Sequence, residues 1–299
     1  MPEPITLSVP FVSGIAYLRE ALVSVRDIDD NALRVIVCEN ARDAPTRDDA
    51  EALVASMGDP RFSFRRYDLH VSICDSMNRA MAAAGTDLVA LLHHDDRLLP
   101  SYPVLVRDLA DRHPEAAAYF TGCGIIDEHG RRRFSFIDWY KKLLIPGRDE
   151  FVLRGELAVR ALVNGNFIAA PTMCFRRSRL GDDGWDPTLS QVADLELWTR
   201  MLFHDKTIVG TRRVGYAYRR HAEQTTAVSN ATLLRFRQEA EVLDLIASRA
   251  AGRGWTSVVK PARAKLGTRL HLCFEALRDA LRLSLRAAAS KLYLAATLR

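Results

Sequence analysis

Leu88-Val89-Ala90-Leu91-Leu92-His93-His94-Asp95-Asp96 decides how this chain is read. Five consecutive apolar residues are too few for a helix and suit a strand buried on both faces, as in a parallel sheet covered by helices. The run ends on two histidines and two carboxylates. Adjacent carboxylates repel each other and resist leaving water, and a divalent cation removes both penalties; hard cations such as Mg2+ and Mn2+ take oxygen ligands. Asp96 is also placed to cap the helix that follows, so metal ligand and helix cap both stand at this point. Of His93 and His94, one is expected to face the core and the other the site.

The same pattern extends in both directions. Upstream, Ile5–Pro10 reads as a strand, Tyr17–Val25 as a helix, and Leu33–Cys38 as a strand ending at Glu39-Asn40. A polar stretch runs to Asp49, then Ala50–Met57 reads as a helix, Phe62–Tyr67 as a strand, and Ile73–Ala84 as a helix stopped by Gly85. Downstream come a helix at Tyr102–Arg112, a strand at Ala117–Cys123, and long loops over 131–165 around Trp139, Tyr140, Pro146 and Gly147. Phe167–Arg176 reads as a strand; Val192–Phe203, Ala231–Ala250 and the run from Pro261 onward read as helices. This alternation predicts an α/β fold with a mostly parallel central sheet flanked by helices, and ligands in such folds sit at the carboxyl ends of the strands. Those ends carry Pro10-Phe11, Glu39-Asn40 and Asp95-Asp96.

With 299 residues, 48% apolar and 26% charged, the chain is of ordinary globular composition and long enough for one large domain with an appendage, or two domains. No apolar run approaches the ~20 residues that cross a bilayer, and Met1-Pro2-Glu3-Pro4 does not read as a signal peptide. Five scattered cysteines argue against a disulfide framework or a cysteine zinc site, which makes a reducing cytoplasm the expected location.

The net charge of +5 is concentrated at one end: residues 228–299 hold 13 Lys and Arg against 5 Asp and Glu. Without stacking aromatics or a recognition motif this does not indicate nucleic acid. In that segment Leu266, Leu270, Cys273, Leu277, Leu281, Leu285 and Leu292 recur at helical spacing among Arg269, Arg278, Arg282, Arg286 and Lys291. Such a basic amphipathic run packs on its own domain, pairs with a second copy, or lies on an anionic membrane, and all three remain open here. Dinucleotide, P-loop, serine-hydrolase and zincin motifs are absent.

A second stretch, Gln191-Val-Ala-Asp194-Leu-Glu196-Leu-Trp198-Thr-Arg200, opens a helix with a carboxylate that its N-terminal dipole favours, and spaces Glu196 and Arg200 for an i,i+4 ion pair. Tyr218-Arg-Arg-His221 offers an imidazole ligand or arginine contacts to phosphate. In order along residues 5–225, the sequence resembles the inverting glycosyltransferases of family 2, which have the GT-A fold. The resemblance is carried by Ile5–Pro10 with its following helix, Val35-Ile-Val-Cys-Glu39-Asn40, Asp75-Ser-Met-Asn78 and Leu91-Leu-His-His-Asp95-Asp96 with Pro100. Asp182-Asp-Gly184-Trp185-Asp186, Val192-Ala-Asp194-Leu-Glu-Leu-Trp198-Thr-Arg200 and Tyr218-Arg-Arg-His221 complete it. Three positions depart from the family pattern: His93 replaces the first Asp of D-x-D, Glu39 replaces an Asp, and Ala193 replaces the Glu of an E-D pair.

The resemblance implies displacement at the anomeric carbon of a UDP-, dTDP- or GDP-sugar with inversion, the acceptor being a carbohydrate or a lipid-linked hydroxyl of bacterial cell-surface polysaccharide or glycolipid synthesis. Asp194 is then the general base. Asp95, Asp96 and His221 hold Mn2+ or Mg2+. Pro10, Phe11, Glu39, Asn40, Asn78, Asp95 and Asp96 bind the nucleotide-sugar; Asn166, Gly184 and Trp185 face the acceptor, the Trp185 indole as a stacking platform. It also implies a catalytic domain over 1–227 with a helical extension over 228–299, cytoplasmic or peripheral on the inner face of the plasma membrane. A catalytically degenerate nucleotide-sugar-binding module and, behind it, a sugar nucleotidyltransferase are the rival readings.

Overall fold

The structure, a computed structural model, describes residues 2–67, 69–134, 149–221 and 233–298; Trp139, Tyr140, Pro146 and Gly147 lie outside them. The chain forms two compact units, Met1–Leu153 with Ile168–Ser190 and Lys206–His221, and Arg154–Phe167 with Gln191–Asp205 and Ala222–Arg299.

The first unit holds a nine-stranded sheet: β1 Ile5–Phe11, β2 Leu33–Glu39, β3 Phe62–Arg65, β4 Leu88–Leu91, β5 Arg97–Leu98, β6 Ala118–Ile126, β7 Glu150–Leu153, β8 Met173–Arg176 and β9 Ile208–Arg219. Its order is β3-β2-β1-β4-β8-β6-β9-β5, with β7 beside β9. β1 pairs in parallel with β2 (Ile5 opposite Leu33) and with β4 (Ile5 opposite Leu88), and β2 pairs in parallel with β3. The expected mostly parallel sheet is therefore parallel across β3-β2-β1-β4 and mixed beyond, because β8 runs antiparallel to both β4 and β6.

β1 is buried on both faces even though Thr6 and Ser8 alternate with its apolar residues, and Ile5, Leu7, Val9 and Phe11 share one core with the apolar stripes of two helices. Leu18, Ala21, Leu22 and Val25 come from the helix Ile15–Arg26, and Tyr102, Val106 and Leu109 from the helix Ser101–Arg112. Spacing of three and four puts each set on one helix face. β6 and β9 pair in parallel with register shifts around Gly122, where a side chain has no room: a Cβ there would lie 2.5 Å from the Arg212 carbonyl oxygen.

Several boundaries differ from the sequence reading. The helix expected from Ala50 begins at Ala44, because Asp43 accepts the Thr46 N–H as an N-cap and Pro45 suits a first helical turn. The strand expected from Phe167 begins only at Met173, after a 3-10 turn at Ala170–Thr172 built on Pro171. Residues expected in long loops before 165 include β7 and the helix Gly155–Asn164.

The second unit is helical: Gly155–Asn164, Ala193–Phe203, Leu234–Gly252, Thr256–Ala264, Leu266–Leu281 and Leu285–Thr297. Ala193–Phe203 is buried almost all round, and it tolerates Glu196 there because Arg200 and Arg249 both pair with that carboxylate, at 3.0 and 2.8 Å. Phe236, Leu272 and Ala295 form a small core joining three helices. Among the described residues, no helix is long and apolar enough to cross a membrane.

Candidate active site

Parallel pairing brings the carboxyl ends of β1, β2 and β4 to one edge of the sheet, with β1 between the other two. Pro10-Phe11, Glu39-Asn40 and His93–Asp96 are thus neighbours by topology, at the edge where open α/β sheets bind ligands. No disulfide joins any of the five cysteines.

His93, Asp95 and Asp96 form the centre of the site, with a donor atom of each lying within 4.8 Å of the others. Asp96 is 0% exposed. Its Oδ1 accepts the Arg219 N–H at 2.7 Å, while Oδ2 has no hydrogen-bond partner. The Tyr216 hydroxyl sits close by and eases the charge without making a hydrogen bond of normal geometry to Oδ2. Burial and the charge of Asp95 push the Asp96 carboxyl well above the usual carboxylate range. For Asp95, burial acts upward too, but the charges of His94 and His93 and a hydrogen bond with His221 outweigh it and leave the carboxyl below that range. A hard cation between the two carboxylates would supply the partner that Oδ2 lacks and offset their repulsion, so this donor set fits one.

His221, expected as a ligand, lies 3.0 Å from Asp95 Oδ2 through Nε2 and packs at 5.1 Å against the ring of Tyr17. His93 is the member of the cluster that the sequence leaves undecided. His94 is the inward one: its ring meets Phe11 edge-on at 5.7 Å, and burial lowers its pKa.

Beneath the cluster lies a buried arginine that the sequence reading places differently. The Arg219 guanidinium is wholly buried, with its donors spent on the protein itself. It donates to the Asp95 carbonyl at 2.6 Å and the Glu128 carbonyl at 2.9 Å, pairs with Glu20 at 2.5 Å, and lies 4.7 Å from the Tyr17 ring centroid. It ties the His93–Asp96 loop to the end of β6 and to the first helix. The sequence gives little clue to this, because Arg219 closes β9, whose strand pattern is interrupted by Gly210 and Gly215.

The other expected nucleotide contacts are engaged with the protein itself. Glu39 is buried, its carboxylate accepting the Tyr67 N–H at 3.1 Å and pairing with Arg47 at 3.2 Å. Asn40 exchanges two hydrogen bonds with the Val71 backbone, at 2.9 and 3.1 Å, and so pins the loop before the helix Ile73–Ala83. Phe11 is fully buried and packs under His94, while Pro10 is half-buried.

Asn78 spends both ends of its amide on Trp185, accepting its N–H and donating to its carbonyl, each at 2.8 Å. Gly184 is required there, since a Cβ would lie 2.7 Å from Asn78 Oδ1. The expectation that Trp185 is an open stacking platform is corrected: the residue is 4% exposed, and its ring packs edge-on against Phe175 at 5.5 Å.

Asp194 and Asn166 belong to the second unit. Asp194 is half-buried in the first turn of the helix Ala193–Phe203, which begins after Val192 in a left-handed conformation (φ 47°). Val is β-branched and ill suited to that region, so the turn presenting Asp194 is strained. Asn166 follows the helix Gly155–Asn164 and is half-buried.

The sequence matches the profile of glycosyl transferase family 2 over residues 6–180. The fold is similar to that of S. aureus TarS 1-349 (13% identity, 98% of this chain, 80% of that chain, TM-score 0.63). It is likewise similar to the same protein in complex with UDP-GlcNAc (14% identity, 98% and 81% covered, TM-score 0.65). A third similar structure is the mannosyltransferase PcManGT from Pyrobaculum calidifontis in complex with GDP-Man and Mn2+ (15% identity, 98% and 89% covered, TM-score 0.58). No curated protein matches the chain in sequence.

Proposed function

The chain belongs to glycosyl transferase family 2 and has the GT-A fold, and on that footing we propose that it is a metal-dependent, inverting transferase. It moves a sugar from a nucleotide-diphospho-sugar to a hydroxyl of a carbohydrate or lipid-linked acceptor in bacterial cell-surface polysaccharide or glycolipid synthesis. The observation that carries the reading is the His93–Asp95–Asp96 cluster at the carboxyl ends of parallel strands, with the buried Oδ2 of Asp96 lacking a hydrogen bond and 4.0 Å from His93 Nδ1. The complexes of TarS with UDP-GlcNAc and of PcManGT with GDP-Man and Mn2+ support a nucleotide-sugar donor and a divalent ion for this chain too.

Asp95 and Asp96 would hold Mn2+ or Mg2+, with His93 or His221 beside them. A divalent ion there offsets negative charge on a diphosphate leaving group. Arg219 keeps the Asp95-Asp96 backbone fixed, so the carboxylates need not reorganise on binding. Glu39, held by Arg47 and the Tyr67 N–H, keeps lone pairs for a nucleotide base. Asp194 accepts the proton of the attacking hydroxyl, a role worth about 10²–10⁴ in rate. The catalytic domain over 1–227, its extension over 228–299, and a cytoplasmic place at the inner membrane face belong to the same proposal.

Release of nucleoside diphosphate from UDP-, GDP- and dTDP-sugars in the presence of Mn2+ tests this reading. One donor should turn over, and Asp194→Asn should abolish turnover while still binding it. Binding without release from any donor, with or without a panel of sugar acceptors, would favour the degenerate binding module.

A further inference from the structure

The last two helices, Leu266–Leu281 and Leu285–Thr297, form a hairpin whose two faces differ in chemistry. Leu272 and Ala276 point inward, with Leu272 beside Phe236 and Ala295. Leu266, Leu270, Phe274, Leu277 and Leu281 follow at steps of four, four, three and four, and all are exposed, so they form one apolar stripe away from the packed face. At the turn between the helices, Leu281 is 78%, Leu283 86% and Leu285 69% exposed. Leu292 and Tyr293 extend the apolar surface along the second helix. Contiguous exposed apolar surface of this kind marks a site of association.

The charges around the stripe are one-sided. From Thr256 to Leu298 the exposed charged residues are Lys260, Arg263, Arg278, Arg282 and Arg286, all cationic. The segment's only two carboxylates are turned away from solvent: Glu275 is buried against Arg278, and Asp279 pairs with Lys291 at 2.6 Å. An occupant must therefore accept leucines and cations together. A second copy apposed through this face would set Arg278, Arg282 and Arg286 near their own equivalents, with no exposed carboxylate on the hairpin to meet them.

An anionic lipid surface meets both demands, taking leucine side chains at the acyl boundary and arginines at the headgroups. We infer that the tip of this hairpin, Leu281-Arg282-Leu283-Ser284-Leu285-Arg286, inserts its three leucines into the headgroup region of an anionic bilayer. The helices lie against the interface and do not cross it. The inference deepens the peripheral location proposed above, yet it is independent of the transferase reaction because it needs neither donor nor metal.

Flotation of the full chain with vesicles tests it. Binding is expected to vesicles of phosphatidylcholine mixed with phosphatidylglycerol, to weaken with added salt, and to be slight with phosphatidylcholine alone. Leu283→Ser should reduce partitioning about tenfold. Arg282→Gln with Arg286→Gln should reduce it about 30-fold. Because these side chains are exposed, the variants should keep the wild-type circular dichroism and melting temperature, and their donor binding should be unchanged. Equal partitioning of wild type and both variants would overturn the inference. So would a dimer in sedimentation equilibrium that Leu283→Ser dissolves.

Discussion

The backbone N–H of Arg219 donates to Oδ1 of Asp96 at 2.7 Å, which locks the last residue of β9 to a carboxylate that has no access to solvent. Through this contact and the Arg219 guanidinium, the first helix, the β4–β5 loop and the end of β6 share one anchor. The acidic pair is held in place before any ligand arrives, which is the condition for electrostatic stabilisation without reorganisation.

Removing that anchor should be costly. Arg219→Met leaves the Asp95, Asp127 and Glu128 carbonyls without their donor, while Glu20, about one-third exposed, keeps Arg97 as a partner. The expected cost is that of unsatisfied buried acceptors, about 1–3 kcal/mol. Urea unfolding should show a loss of that size. Lysine at this position should recover only part, because it cannot span the Asp95 and Glu128 carbonyls and Glu20 with a planar fork.

The Asn78–Trp185 clasp makes a separable prediction. Gly184→Ala should destabilise wild type by about 1–3 kcal/mol, as expected of overpacking. In an Asn78→Ala background the obstructing amide is gone, so adding the Gly184 methyl should cost little. A double-mutant cycle on unfolding free energies measures the coupling, and additive costs would contradict the clasp.

Val192 tests the strain ahead of Asp194. Val192→Gly should raise unfolding free energy by about 1 kcal/mol, since Gly accepts positive φ without a Cβ clash. The expected companion effect is a lower kcat with little change in donor affinity, because a looser turn presents Asp194 less well. Thermal melts and steady-state rates report the two effects independently.

Much of this architecture is legible from residues, and the reasons for the exceptions are physical. β2 and β4 announce themselves as short apolar runs, and β1 by apolar–polar alternation up to Pro10, although its Thr6 and Ser8 are buried as well. β9 is hidden: Gly210 and Gly215 replace the side chains that would show alternation, with a Cβ at Gly210 falling 2.4 Å from the Phe120 ring. Asp43-Ala-Pro45 is a readable helix start inside what looks like a polar loop. In the site, the positions of Asp95, Asp96 and His221 follow from strand ends and motif order. The inward engagement of Asn40, Asn78 and Trp185 does not, because each partners a residue far along the chain. An aromatic beside Gly184 resembles an exposed platform until Phe175 is seen against it.

Asp87 supplies the pH dependence. Burial raises its carboxyl, but hydrogen bonds from Ser178 and from Arg176 outweigh that effect and hold it below the usual range. A depressed folded value contributes stability that is fully present above the unfolded value of ~3.9 and is lost as pH falls through the folded value. Asp87→Asn should therefore be less stable than wild type near neutrality, and the gap should close below pH ~4. Urea midpoints across that range provide the check.

On the proposal above, Asp95 and Asp96 would hold a divalent ion that supplies the binding charge for a nucleotide diphosphate. Isothermal titration of UDP, GDP and dTDP into wild type and Asp95→Ala, with and without Mn2+, is the decisive measurement. One nucleotide should bind wild type only with Mn2+, and Asp95→Ala should weaken that binding by a factor on the order of 100, or about 2.7 kcal/mol. Binding that is equally tight without metal, or in both proteins, would contradict the proposal.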